Sequence, residues 1–160
     1  MNDKIQLLKE YALILKPGGC KLSDKDYDAF ETKKKLLLQL SQVENSSMAV
    51  YDMHRGEYTF VQSKFDTHLC YPLNEYSKKE PRFFFELMPY PDFKFSMETI
   101  KETFAFLNKL DISKRKEYKL VFEFRLSDPA GNLYRFLQQC LVLEQDNEGN
   151  IWMVLILNDL

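Results

Sequence analysis

The sequence predicts an α+β protein: a five-stranded antiparallel sheet with helices on one face and N-terminal helices packing on the other face or in a dimer. Three runs with the alternation of strands, residues 118–126, 133–144 and 151–158, fill the last third of the chain. Turn sequences at 128–132 and 146–150 separate them. Because connections this short join antiparallel neighbours, the three runs predict a meander.

An earlier pair of short runs supplies the other two strands. Residues 48–51 and 57–63 flank residues 52–56, a loop that ends in glycine, which is typical of a hairpin. A helix is predicted between this hairpin and the meander, over residues 97–110. The residues expected on its apolar face are Ile100, Phe104 and Leu107.

The chain divides near residue 44 into an N-terminal helical extension, residues 1–43, and a domain of residues 44–160. A first helix ends at the helix breakers of residues 16–19, and a second covers residues 27–43. Both have an apolar stripe, which a helix must bury against another surface. These stripes are Ile5, Leu8, Ala12 and Leu15 in the first helix, and Phe30, Leu37, Leu40 and Val43 in the second.

Apolar residues occupy both faces of the predicted meander. An antiparallel sheet with one face in water alternates apolar and polar residues, but the run at 151–158 is apolar on both sides. We therefore expect the helices between residues 65 and 110 to cover one face, and the N-terminal helices or a second subunit to cover the other. In the first long strand, Leu120, Phe122, Phe124 and Leu126 share a face opposite Glu123 and Arg125, which we expect to form an ion pair.

Composition excludes several classes of protein. The 160 residues are 45% hydrophobic, and the formal net charge of −2 lacks the basic excess of a nucleic-acid surface. The first residues lack the apolar segment of a signal peptide, and no apolar run is long enough to span a bilayer. Three scattered cysteines suit free thiols in a reducing compartment. We therefore expect a cytoplasmic protein that contacts neither nucleic acid nor membrane.

Several local sequences, in order, resemble those of the PAS family over about residues 44–160. The hairpin with Asp52 and Gly56 is similar to the first two PAS strands. The remaining similarities are Gln62-Ser63-Lys64-Phe65, Leu69-Cys70-Tyr71, Pro72-Leu73-Asn74-Glu75, Tyr90-Pro91-Asp92-Phe93, Gly131-Asn132-Leu133-Tyr134-Arg135-Phe136 and Asp146-Asn147-Glu148-Gly149.

The resemblance is strongest to the PAS modules that precede a helix-turn-helix in LuxR-type bacterial transcription regulators. It implies a sensory domain that binds a small molecule or a partner and modulates an output domain absent from this chain. It also implies a homodimer, formed through the N-terminal helices or a sheet face. A structural dimerisation module with a filled core and no ligand is the alternative.

The same resemblance places a candidate apolar pocket between the sheet and the long helix. Apolar walls with one or two polar groups suit a ligand cavity, but they also suit an ordinary core. The many phenylalanines favour a filled core over a sizeable cavity. The residues implied to bound the pocket are Val50, Phe60, Phe104, Leu107, Phe122, Phe124, Phe136 and Cys140.

No residue pattern predicts catalysis, a metal site, haem or a flavin. The serines lack a nucleophile turn, and no cysteine has a histidine at catalytic spacing. The run Arg135–Gln138 matches part of a flavin photosensor motif, but Tyr134 stands where that motif has its reactive cysteine. His54 and His68 have no partners at metal-ligand spacing. We therefore expect no enzyme, and the cofactor, if one binds, is unknown.

Overall fold

The structure is a computed structural model that describes residues 2–14, 19–71 and 82–160. Its helices are α1 (Asn2–Ile14), α2 (Asp24–Val43), α3 (Asp66–Leu69), α4 (Arg82–Leu87) and α5 (Tyr90–Lys109), followed by a 3-10 helix (Ile112–Glu117). Its strands are β1 (Ser47–Asp52), β2 (Glu57–Gln62), β3 (Lys119–Ser127), β4 (Leu133–Gln145) and β5 (Ile151–Asp159).

The five strands form one antiparallel sheet in the order β2-β1-β5-β4-β3. The meander is therefore confirmed, and the N-terminal hairpin joins it by pairing β1 with β5, from Ser47 opposite Asn158 to Asp52 opposite Met153. This closing pair brings the start of the domain beside the last strand. The predicted α+β fold class is confirmed.

Both meander turns follow the same local chemistry. In the β3–β4 turn, the Asp128 carboxylate accepts a hydrogen bond from the Asn132 backbone N–H at 2.8 Å, and Gly131 has φ 86°. The β4–β5 turn repeats it, with Asp146 accepting from Asn150 at 2.8 Å and Gly149 at φ 85°. Glycine adopts positive φ without steric cost, so these positions fix where each strand reverses.

Helix α2 lies on one face of the sheet, which we call the outer face. Phe30 is 2% exposed, and its ring centroid lies 6.2 Å from that of Trp152 on β5. Leu37 also packs into this cluster. The stripe predicted for this helix is wrong in its second half, because Leu40 and Val43 are 49% and 80% exposed. Of the predicted stripe, only Phe30 and Leu37 therefore pack into the cluster on the outer face.

Helix α1 lies on the opposite side of the sheet, which we call the inner side, against α5. Leu7, Leu8 and Tyr11 pack there, and the Tyr11 ring centroid lies 5.4 Å from that of Phe85 on α4. Packing of both N-terminal helices on the same face is therefore wrong. The predicted stripe also shifts, since Ile5 is 43% exposed. Leu15 and residues 16–18 lie outside the described residues.

Helix α5 begins seven residues earlier than predicted. Pro91 occupies its first turn, where a missing N–H costs no hydrogen bond. Asp92 then accepts hydrogen bonds from the backbone N–H and guanidinium of Arg125 on β3, at 2.6 to 3.0 Å. The expected Glu123–Arg125 ion pair is wrong, because Glu123 pairs with Arg135 at 3.2 Å. The Asp92–Arg125 pair ties the start of α5 to the sheet.

The described helices also answer the question of membrane insertion. None of those within residues 2–14, 19–71 and 82–160 combines the length and the apolarity needed to cross a bilayer.

Candidate functional site

A cavity of about 640 Å³ lies between the inner face of the sheet and α5. Phe122 and Phe136 from the sheet and Ile100, Phe104 and Leu107 from the helix form part of its wall. Apolar atoms make up most of the surface, which is the composition of a small-molecule site. This volume lies within the usual range for ligand pockets.

Six of the eight predicted pocket residues line this cavity: Phe104, Leu107, Phe122, Phe124, Phe136 and Cys140. Val50 and Phe60 do not, and placing them in the pocket is wrong. They are opposite each other in the β1–β2 hairpin, on the outer face, in the cluster that contains Phe30. That the six lining residues bind a ligand stays a prediction.

Val50 and Phe60 were assigned to the wrong face because side-chain alternation in β1 does not distinguish its two faces. Its inner-facing positions, Ala49 and Tyr51, and its outer-facing positions, Met48 and Val50, are all compatible with burial. A change of register between Val50 and Tyr51 then leaves Thr59 on β2 without an opposite residue. Because neither face of the hairpin is charged in this part, the sequence pattern does not decide which face is inward.

The expectation of a filled core is also wrong. Phenylalanine rings pack against one another instead of filling the space. The Phe124 and Phe136 rings stack with centroids 5.8 Å apart, and the Phe65 and Phe136 rings meet edge to face with centroids 5.2 Å apart. These phenylalanines belong to one apolar cluster on the inner side of the sheet. A second cluster on the same side includes Tyr51 and Leu107. Residues of both clusters line the cavity.

Three polar residues cross the cavity floor on neighbouring strands. Asn158 on β5 lies opposite Gln138 on β4 and opposite Ser47 on β1, and all three line the cavity. The Gln138 amide donates to the Cys140 thiol at 3.1 Å, and the Ser47 hydroxyl accepts from the Lys64 backbone N–H at 2.7 Å. The Asn158 Oδ1 is buried and has no hydrogen-bond partner among the described residues.

Tyrosine hydroxyls add further polar groups to the cavity wall. Tyr11 comes from α1, Tyr51 from β1 and Tyr58 from β2, and the rings of the last two lie 5.2 Å apart. Burial raises the pKa of Tyr51 to about 12, and it raises the pKa values of Tyr11 and Tyr58 as well. Burial also raises the pKa of the Cys140 thiol to about 11. All four groups are therefore uncharged at neutral pH.

Formal charge is confined to the rim of the cavity. Among the described lining residues, only Glu98, Glu102 and Lys119 are charged, and all three are exposed to solvent. His68 is exposed and does not line the cavity. The described residues contain no cluster of side chains able to hold a metal ion.

Sequence reasoning missed the polar groups of this site. Gln138 lies between Phe136 and Cys140 at the spacing of one strand face, and Asn158 continues the face of Val154 and Ile156. Polar residues at inward positions of apolar strands were the available signal. No comparable signal exists for Tyr11, since its place depends on where α1 docks.

Comparison with solved structures identifies other proteins with this architecture. The PAS/PAC sensor domain of a diguanylate cyclase from Marinobacter aquaeolei matches with a TM-score of 0.54 at 10% identity, over 71% of this chain and 93% of that one. A PAS domain from Colwellia psychrerythraea matches with a TM-score of 0.53 at 14% identity, over 78% and 93%. The chain has the PAS fold. The fold implied by the sequence resemblance is thereby confirmed.

A light-oxygen-voltage domain shows the same PAS fold, with a TM-score of 0.54 at 13% identity over 77% of this chain and 82% of that one. Neither a family model nor a curated protein sequence matches the chain. At these identities the likeness concerns the PAS fold alone.

Proposed function

We propose that this chain is the signal-sensing PAS domain of a transcription regulator, which binds a small molecule in the cavity and modulates an output domain outside this sequence. The cavity between the sheet and α5 is the observation that carries the proposal. The assignment to a LuxR-type regulator, and to the cytoplasm, rests on the sequence resemblance and composition.

The size of the cavity supports ligand binding. Protein interiors are packed nearly as densely as organic crystals, and voids larger than a water molecule are few. An apolar space of about 640 Å³ is far larger than such a void. A bound molecule that fills it would restore the lost packing contacts, so this protein gains stability from an occupant.

The same features argue against catalysis. A nucleophile requires a base within hydrogen-bond reach, and the Cys140 thiol contacts the Gln138 amide instead. Its raised pKa keeps it as the unreactive thiol. We therefore propose a binding function without chemistry on the ligand.

Strand β5 offers a route from the cavity to α2. Val154 and Ile156 line the cavity, whereas Leu155 and Leu157 pack in the cluster beneath α2. A ligand that displaces the inner side chains displaces the same backbone that supports the helix. We propose that ligand binding favours one of two packings of α2 on the outer face.

A homodimer through the outer face is part of this proposal. Leu36, Leu40 and Val43 share the side of α2 from which Lys33 pairs with Glu144 of β4, and they are 49% to 80% exposed. Apolar residues of the outer sheet face, Val121 and Leu137, are 46% and 38% exposed. Exposed apolar residues gathered on one side of the sheet are typical of an association site.

Light scattering tests the dimer. The double substitution Leu36→Asp and Leu40→Asp is expected to yield a monomer at concentrations where the unmodified protein is dimeric. Leu38→Asp is the matched control, because Leu38 is 43% exposed on the other side of α2. A monomer at high micromolar concentration of the unmodified protein would rule out the dimer and the purely structural dimerisation module together.

Native mass spectrometry tests the ligand. The purified protein is expected to carry an excess mass that denaturation releases, or to gain thermal stability from a member of a metabolite library. Thr103→Phe puts a ring into the cavity and should abolish both effects, whereas Lys101→Phe places the same ring on the exposed side of α5. If neither measurement detects a small molecule, the ligand-binding function is rejected.

A further inference from the structure

We propose that the cavity takes a single-chain cationic amphiphile, whose alkyl chain occupies the apolar interior and whose ammonium head stays at an opening between α5 and β3. The inference rests on the proposed ligand-binding function and specifies the chemistry of that ligand. It follows from three features of the site: where the cavity opens, what its interior excludes, and which groups stand at the opening.

The cavity opens to solvent along the edge of the sheet. Strand β3 is the last in the sheet order, and α5 lies beside it. The Asp92–Arg125 ion pair joins one end of the helix to the strand. At the other end, the ring centroids of Phe106 and Tyr118, which directly precedes β3, are 5.2 Å apart. Phe95, Phe106 and Tyr118 line the cavity and are still 43% to 52% exposed, so the opening lies between these two contacts.

The interior favours an alkyl chain over a charged group. Apolar atoms form most of its surface, and Tyr51 and Cys140 within it are neutral. A charged group would lose its hydration there without meeting an opposite charge, whereas burial of methylene groups is favourable. The polar groups of the floor, such as the Gln138 amide, keep water beside the chain, as buried polar groups commonly do. A charged ligand therefore has to leave its head outside the interior.

The charges at the opening favour a cation. Glu98 and Glu102 of α5 line the cavity and are exposed. Lys94 lies 3.9 Å from Glu98, whereas Glu102 forms no ion pair within the described parts of the chain. The third charged lining residue, Lys119, donates to Gln139 on the outer face at 2.9 Å. The opening is therefore negatively charged.

Aromatic rings stand beside the unpaired carboxylate. Phe106 follows Glu102 by one helical turn and Phe95 precedes it by two, so all three share one side of α5. The face of an aromatic ring attracts a cation, and quaternary ammonium groups are recognised in this way. A trimethylammonium head at the opening meets both a carboxylate and aromatic rings while its chain extends inward.

Three probes test this chemistry: octyltrimethylammonium, decyltrimethylammonium and undecanoate, which carries the same ten-carbon chain on a carboxylate. Calorimetric titration of the full chain at pH 7, below the concentrations at which the probes form micelles, gives their affinities. We expect the decyl cation to bind about fifteenfold more tightly than the octyl cation, because each of two further buried methylenes contributes about fourfold. It should also bind about tenfold more tightly than undecanoate, for which attraction to the opening becomes repulsion.

Substitutions separate the head from the chain. Glu102→Gln should lower the preference for the decyl cation over undecanoate from about tenfold to about threefold, and should leave the ratio between decyl and octyl unchanged. Glu57→Gln is the matched control, because Glu57 is exposed on β2 and does not line the cavity; it should keep the tenfold preference. Thr103→Phe should weaken all three probes without changing the preference for a cation, because Thr103 lines the cavity occupied by the chain.

The outcomes separate this inference from the proposed function. Equal affinity for the octyl and decyl cations overturns the placement of the chain in the cavity. Binding of undecanoate as tightly as the decyl cation, or a preference that Glu102→Gln leaves unchanged, overturns the cationic head at the opening. If none of the probes binds, the inference fails, and native mass spectrometry of the purified protein decides the proposed function on its own.

Discussion

Removing the Phe30 side chain tests whether α2 is an integral part of this PAS domain. Phe30 is 2% exposed and packs between Trp152 and the residues of β1 and β2. Its replacement by alanine removes a buried ring and leaves a cavity under the helix, which costs about 3–5 kcal/mol of unfolding free energy. The value belongs near the upper end if the helix cannot move inward to close the gap.

The effect is large enough to measure by thermal or urea unfolding. For a domain of this size each 1 kcal/mol shifts Tm by about 2–4 °C, so Phe30→Ala should lower Tm by about 6–20 °C. Leu38→Ala is the control on the same helix. Leu38 is 43% exposed, and its truncation should cost about 1 kcal/mol or less.

A loss below about 1 kcal/mol in Phe30→Ala would refute the reasoning. It would mean that α2 does not rest on the outer face in solution. The proposed link between β5 and α2 would then lose its basis, whereas the inner cavity would be unaffected.

Two further predictions concern titratable groups. Hydrogen bonds from Arg125 lower the pKa of Asp92, so the pair stabilises the fold above the unfolded-state value of about 4 and the gain is lost as pH falls through the folded-state value. Asp92→Asn should therefore reduce the urea midpoint more at pH 7 than at pH 2.5. An equal loss at both pH values would contradict the assignment. Exposed Cys70 should react first with a thiol reagent at pH 8, because burial raises the pKa values of Cys20 and Cys140; simultaneous reaction of all three thiols would contradict the described burial.

The strands could be predicted because each carries two independent signals. Aspartate-glycine turns mark their ends, and side-chain alternation marks their faces, so β3, β4 and β5 agree with prediction to within one residue at each end. The hairpin gives only one clear signal, its loop. Its two faces are similarly apolar, and Val50 and Phe60 were placed on the wrong one.

The helices show where local pattern stops being informative. The helix predicted from residue 97 in fact begins at Tyr90, because Pro91 is accommodated in the first turn of α5. The position of α1 depends on contacts between residues far apart in sequence, such as Tyr11 with Phe85. No periodicity within α1 encodes that partner, so its side of the sheet could not be predicted.

The cavity itself was beyond sequence reasoning. The number of phenylalanines indicates how much side-chain volume the core contains, but it does not indicate how the rings are arranged. Because Phe65, Phe124 and Phe136 pack against one another, the same residues that suggested a filled core leave open space beside them. The polar floor was accessible in principle, through Gln138 and Asn158 at inward positions.

Methyl NMR of the protein with phenanthrene, used as an apolar probe of the cavity, tests the central claim most directly, that one layer of strands has a ligand cavity on one face and α2 on the other. We predict alternation along β5: nuclear Overhauser effects from the ring protons of the probe reach the methyl groups of Val154 and Ile156, which line the cavity, and not those of Leu155 and Leu157, which pack beneath α2. Contacts of the probe with Leu155 and Leu157 alone, or with all four residues equally, would contradict this arrangement.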